Sequence, residues 1–179
     1  MKNKLYMKLL ARKNGQQISA FTLVEVLLTV VIIGILSAVA LPTYFNQVQR
    51  AKQSEAVANL AQIQNTLAAY IDEFNKIPTG WKELNDIAAI MTTSGPASLT
   101  TFGSINLPGE NYTVSRTDNQ SRNTYFEFTA TPTTKDSEMA EFNVMACIDL
   151  ATGASDLKQG RKDSINAISD SDLVCIRKS

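Results

Sequence analysis

The sequence predicts an α+β fold in which one long N-terminal helix packs on a small antiparallel sheet. An uncharged apolar run from Val26 to Phe45 passes without a helix break into a segment whose apolar residues recur at three- and four-residue steps as far as Phe74. Further along, apolar and polar residues alternate in three segments, which is the period of strands with one buried face. About 100 residues outside the helix are enough for one core, so a single domain is expected beyond the apolar run.

The apolar run is long enough to cross a membrane once. Its 20 residues would span about 30 Å as a helix, which matches the hydrocarbon thickness of a bilayer. Five basic residues and no acidic residue precede Ala20, namely Lys2, Lys4, Lys8, Arg12 and Lys13. The positive-inside rule therefore predicts a cytoplasmic N-terminus and an exported remainder.

The second part of the helix is amphipathic. Its expected buried face is formed by Val57, Leu60, Ile63, Leu67, Tyr70, Ile71 and Phe74. No helix-breaking residue lies between Asn46 and Phe74, so both parts are expected to form one rod over 21–75, about 80 Å long. The sequence Pro78-Thr79-Gly80 is expected to end it.

Two residues inside the apolar run are expected to weaken the helix, namely Gly34 and Pro42. Proline removes a backbone hydrogen bond and clashes with the preceding turn, which predicts a bend or a melted turn between Ala38 and Pro42. Such a site is either an ordinary kink of a membrane helix or a weak point that allows the helix to stretch.

The remainder is expected to add a short helix and the sheet. The residues from Trp81 to Met91 favour a short helix capped by Thr79. Three or four antiparallel strands are expected, with alternation at Tyr112–Val114, Phe126–Ala130 and Ala140–Ile148. A polar connection containing Pro132 is expected over 131–136.

The composition argues against an enzyme. The chain has no histidine and no phosphate-binding glycine-rich loop, so no catalytic residue and no cofactor are predicted. Without the five basic residues of the N-terminal segment, 12 basic and 17 acidic residues remain, a net charge of −5 that offers no basic patch for nucleic acid. Asp163, Asp170 and Asp172 carry oxygen ligands suited to calcium, but their spacing matches no defined calcium loop and no metal is predicted.

The two cysteines, Cys147 and Cys175, lie in the part expected to be exported. An even number of cysteines outside the cytoplasm favours one disulfide that staples the C-terminal region. Two unpaired buried thiols are the alternative.

The stretch from Ala20 to Leu28, AFTLVEVLL, resembles the signature of type IV pilins: a basic leader, a cut before phenylalanine, and glutamate five residues into the mature chain. The resemblance implies cleavage between Ala20 and Phe21, N-methylation of Phe21, and a role for Glu25 in assembly. Ala20 departs from the glycine that the family usually has before the cut. Two other interpretations are a secretory signal cut after Ala38-Val39-Ala40 and a permanent signal anchor.

The resemblance also implies an organisation and a set of partners. Residues 1–20 would be a cleaved leader, 21–45 a membrane and filament-core helix, and 46–179 an exported α+β head with the type IV pilin fold. The chain would be a major or minor subunit of a type IV pilus, held in the inner membrane until it is polymerised at the cell surface. Its partners would be other pilin subunits, the prepilin peptidase and the assembly machinery, with a separate ATPase.

Two alternatives to a pilus subunit remain at this point. A pseudopilin of a type II secretion system has the same N-terminus, but the major pseudopilins usually rely on calcium and lack the disulfide, so the cysteines favour a pilus. Residues 45–47 and 51–56 are similar to the cyanobacterial type of general pilin, whose members are often labelled by likeness to secretion pseudopilins. From a different class, the chain could be a membrane-anchored or secreted periplasmic binding protein, adhesin or enzyme.

Overall fold

The computed structural model of the chain describes residues 21–118, 123–133, 141–160 and 168–175. The chain divides into two compact units, one ending at Thr43 and the other beginning at Tyr44. The elements in chain order are the helices α1 (Leu23–Phe74) and α2 (Trp81–Leu84), the strands β1 (Met91–Thr92), β2 (Gly95–Pro96), β3 (Ile105–Asn106), β4 (Tyr112–Arg116), β5 (Tyr125–Pro132), β6 (Val144–Asp149) and β7 (Ala154–Gln159), and a 3₁₀ helix, Asp170–Asp172.

The sheet of the second unit confirms the predicted α+β class but is larger than expected. Five antiparallel strands lie in the order β3-β4-β5-β6-β7, and β1 and β2 form a separate hairpin. The prediction of three or four strands missed β3 and β7. Strand β3 has only two residues, and β7, with the sequence ASDLKQ, has no clear apolar alternation. The predicted connection over 131–136 is wrong at its start, because Pro132 is the last residue of β5 and pairs with Tyr112.

The main core lies between the sheet and the amphipathic part of α1. Helix α1 contributes Ala56, Leu60, Ile63, Leu67 and Tyr70, which are all buried. One face of the sheet contributes alternate residues of β5 and β6, namely Phe126, Phe128, Ala130, Val144, Ala146 and Ile148. The predicted helix face is therefore confirmed at its centre. Phe74 is an exception, since it lies at the end of α1 and is 41% exposed.

Short segments after α1 close this core. Asn75 follows the last residue of α1, takes a positive φ of 51°, and donates its N–H to the carbonyl of Ile71. Helix α2 is shorter than predicted, and its N-cap is Gly80 without a side-chain cap, so capping by Thr79 was wrong. The ring of Trp81 is fully buried and donates its N–H to the carbonyl of Gly103 at 2.7 Å.

The opposite face of the sheet carries a second, smaller core. Tyr125, Met145 and Cys147 point to this face because side chains alternate along β5 and β6. Leu173 and Cys175 of the C-terminal segment cover them. Both faces of β5 and β6 are thus buried, which explains the unbroken buried pattern of β6.

Candidate functional site

The N-terminus of α1 has a specific hydrogen-bonded geometry. Thr22 immediately precedes the helix, and both its backbone N–H and its hydroxyl donate to Oε2 of Glu25 at 2.8 Å. In return, the N–H of Glu25 donates to Oγ1 of Thr22 at 3.3 Å. This reciprocal arrangement is a capping box, which satisfies two backbone donors that a helix N-terminus leaves without partners.

The capping box assigns Glu25 a local partner that sequence analysis missed. The signal was present as Thr22-x-x-Glu25, the threonine and glutamate spacing of a capping box. A carboxylate is also favoured in the first helical turn by the helix dipole. Ala20 lies outside the described residues, whereas Phe21 precedes the cap and is 85% exposed. Cleavage and methylation there stay predictions, as does the pairing of Glu25 with an α-amine.

None of the described residues covers the apolar part of α1. Its large apolar side chains are exposed throughout, including Leu23, Val30, Ile35, Leu41 and Phe45. Among the described residues, α1 is the one helix long and apolar enough to cross a membrane. None of the residues in its most apolar 18-residue stretch is buried. A surface of this size and character requires lipid or other apolar helices around it.

Helix α1 continues through both predicted weak points. It is unbroken from Leu23 to Phe74 with Pro42 inside it, so the melted turn near Ala38–Pro42 is wrong. A proline can remain in a helix at the loss of one backbone hydrogen bond. A Cβ at Gly34 would lie more than 4 Å from the neighbouring atoms of the described residues, so no contact among these residues requires glycine there. The assignment of Gly34 and Pro42 to a kink stays a prediction.

The cysteines form the predicted staple. Cys147 of β6 and Cys175 are joined by a disulfide with a Cα–Cα distance of 6.0 Å. The segment that it fixes is also held by Asn143, whose side chain exchanges two hydrogen bonds with the backbone of Ile168, at 2.8 and 3.1 Å. The N–H of Val174 donates to Oδ2 of Asp156 at 3.0 Å. The alternative of two free thiols is therefore excluded.

The acidic residues considered for calcium do not converge among the described residues. Asp163 lies outside the described ranges. Asp172 accepts hydrogen bonds from the backbone and hydroxyl of Ser169, and Asp170 accepts one from the N–H of Ser171. These bonds stabilise the 3₁₀ turn. No group of three or more metal-ligating side chains occurs in the part of the chain that the structure describes.

Comparison with known proteins identifies the N-terminal segment. Residues 16–41 match the family described as the prokaryotic N-terminal methylation motif. Fimbrial protein Q of Moraxella bovis is 34% identical over 50% of this chain and 58% of its own length. The type IV major fimbrial protein FimA of Dichelobacter nodosus is 30% identical over 50% of this chain and 56% of its own length. The type II secretion system core protein G of Aeromonas hydrophila is 36% identical over 34% of this chain and 43% of its own length.

The matched part of the chain thus spans about half the length of these relatives. No solved structure matches the chain significantly. The chain combines an exposed apolar helix that carries a methylation motif with an α+β unit whose C-terminal segment is held by a disulfide, and this is the arrangement that the resemblance to type IV pilins predicted. The N-terminal part of the chain is similar to that of type IV pilins. These relatives are named as fimbrial proteins and not as enzymes, which agrees with the prediction that the chain is not an enzyme.

Proposed function

We propose that this protein is a subunit of a type IV pilus. The subunit would be cleaved between Ala20 and Phe21, held in the inner membrane, and then polymerised through the apolar part of α1. The observation that carries the proposal is the exposed apolar part of α1, in whose first turn the carboxylate of Glu25 accepts hydrogen bonds from Thr22. The names of the fimbrial and pilin relatives support the same assembly. Residues 46–179 would form the exported head, and the prepilin peptidase and an ATPase-driven machinery would act on the chain.

In this proposal Glu25 contributes to assembly through its charge. An acidic residue at the centre of a membrane helix costs about 2.5–3.5 kcal/mol, so its carboxylate needs donors or an opposite charge. The capping box supplies donors from Thr22 before assembly. After cleavage, the ammonium of Phe21 on the same or a neighbouring chain would supply the charge. A slip of one helical turn, about 5.4 Å, would separate such charges, so pairing would also fix the axial register of neighbouring helices.

Processing is tested by mass spectrometry of the protein from membrane and sheared-fibre fractions. We expect a mature chain that begins with N-methylated Phe21. Ala20→Gly should speed cleavage, whereas a bulky residue at position 20 should leave the basic precursor uncut. A mature N-terminus at Leu41, or an intact leader in assembled fibres, would overturn the proposed processing.

Assembly is tested by variants at the capping box expressed without a wild-type copy. Glu25→Ala should be cleaved and retained in the membrane but enter sheared fibres poorly. Thr22→Val removes the hydroxyl that donates to Glu25 and should weaken incorporation, while Thr22→Ser keeps the hydroxyl and should restore it. If processed Glu25→Ala subunits entered fibres at the wild-type level, the carboxylate would be a solvated group without a role in assembly.

A pseudopilin of a type II secretion system is the second candidate function. The match to a secretion core protein favours it, and the disulfide favours a pilus. Deletion of the gene separates the two: loss of surface fibres with normal secretion supports the pilus, and retention of secreted enzymes inside the cell with intact fibres supports the pseudopilin.

A further inference from the structure

Two buried glutamines of α1 reach the backbone of the sheet. Gln53 and Gln64 are 5% and 8% exposed, and they lie eleven residues apart on the helix face that packs against the sheet. Nε2 of Gln53 donates to the carbonyls of Phe142 and Gly160 at 3.3 and 2.8 Å. Nε2 of Gln64 donates to the carbonyls of Cys147 and Asp156 at 2.8 and 2.9 Å. Gln64 therefore bridges β6 and β7, and Gln53 bridges two residues that flank these strands, Phe142 before β6 and Gly160 after β7.

The two bridges have matching spacings on helix and sheet. The glutamines are about 16 Å apart along α1, and Asp156 and Gly160 are about 13 Å apart along an extended strand. The side chains cover the small difference, so both amides bond at the same time. A slip of α1 by one turn, about 5.4 Å, would exceed hydrogen-bond distance at both positions.

The two residues whose carbonyls accept from Gln64 are also bonded to the C-terminal segment. Cys147 and Asp156 are directly opposite each other in the β6–β7 pairing. Their carbonyls accept from Gln64, while the side chain of Cys147 forms the disulfide and that of Asp156 accepts from Val174. Helix, sheet and C-terminal segment are therefore joined at this one pair of residues.

The apolar contacts around these amides tolerate an axial shift better than the amide hydrogen bonds do. Hydrophobic burial is non-directional, and the helix face between the bridges consists of aliphatic residues, namely Ala56, Leu60 and Ile63. Strand β7 adds little apolar surface, since its sequence is ASDLKQ. A buried amide contributes little net stability but requires a partner, so registers that leave it unpaired are penalised.

We propose that Gln53 and Gln64 are register pins, which select a single axial position of the sheet on α1 and add little to its stability. The pins determine where β7 and the stapled C-terminal segment lie along the helix. This inference concerns the second unit alone and holds whether or not the chain forms a pilus.

The test uses the full-length protein in detergent micelles and compares Gln53→Leu, Gln64→Leu and the double variant with Gln62→Leu. Gln62 is the matched control because it is an exposed glutamine of the same helix that donates to one carbonyl, that of Ala89. We expect the double variant to remain folded but to show more than one set of backbone amide resonances in β6 and β7, and we expect Gln62→Leu to show one set.

A single, sharp, wild-type-like set in the double variant would overturn the proposal. Unfolding of the single leucine variants would overturn it as well, because residues that only select a register are not required for folding. A second measurement needs no variant: the side-chain NH₂ groups of Gln53 and Gln64 should exchange with solvent at least about tenfold more slowly than that of Gln62. If the side-chain NH₂ groups of all three glutamines exchanged at the same rate, the hydrogen bonds of Gln53 and Gln64 would not be stable and the proposal would be wrong.

Discussion

Removal of the disulfide should destabilise the second unit by a predictable amount. The bond joins residues separated by 28 positions, and a loop of that length corresponds to about 3.5 kcal/mol of unfolding free energy on the chain-entropy model. Since a domain of this kind is stable by only about 5–15 kcal/mol, the loss is a large part of the total. The effect should also be local at first, because the C-terminal segment covers Tyr125 and Met145.

The assay is urea unfolding of the full-length protein in micelles, followed by Trp81 fluorescence. The Cys147→Ser/Cys175→Ser variant should lose about 3.5 kcal/mol, and wild-type protein treated with a dithiol reductant should lose a similar amount. The reduced wild type controls for the substituted side chains. A loss below about 1 kcal/mol in both samples would refute the reasoning. It would mean that the segment is held by the hydrogen bond that Asn143 donates to Ile168 and by the one that Asp156 accepts from Val174.

Three further perturbations test the second unit. Tyr112→Phe removes the hydroxyl that donates to the carbonyl of Phe142 at 3.0 Å and should cost about 1 kcal/mol in urea unfolding. Burial raises the pKa of Tyr112 from 10.0 to about 12. The contribution of Tyr112 to the free energy of unfolding should therefore be constant below pH 10 and be lost as the pH rises from 10 through 12, and Tyr112→Phe should lose this part of the decline. Gly160→Ala should displace the segment before β6, because an added Cβ would overlap the carbonyl oxygen of Glu141, and amide chemical shifts at 141–143 would report it. Leu60→Ala empties a fully buried position and should cost about 2–5 kcal/mol, measured by the same unfolding assay.

Periodicity predicted the helix well, because α1 is long and its pattern is repeated over many turns. The predicted rod of 21–75 compares with an observed Leu23–Phe74. Strands β4, β5 and β6 were each found from alternation, with errors of a few residues at their ends. Strand ends depend on hydrogen bonds to distant partners, and a local pattern does not contain them.

The two missed strands form because they pair with a neighbouring strand, and their own sequences carry no apolar pattern that would predict them. Strand β7 is an edge strand whose side chains are only partly buried, so it needs no alternating apolar residues. The two-residue strand β3 exists because it pairs with β4. For the candidate site, the sequence located Phe21 and Glu25, but the cap from Thr22 was overlooked although its spacing was visible.

The sequence by itself determined what depends on composition and short spacing: the apolar helix, the position of its single carboxylate, the absence of catalytic histidine, and an even pair of cysteines for one disulfide. Only the tertiary structure decided which distant groups meet. The bonds from Gln53 and Gln64 span 83 to 107 positions of sequence, and the second core needs strands and C-terminus to be brought to one face. A glutamine on a helix looks like a solvated residue until the sheet lies against it, because burial and partners are properties of the folded chain and not of the residue.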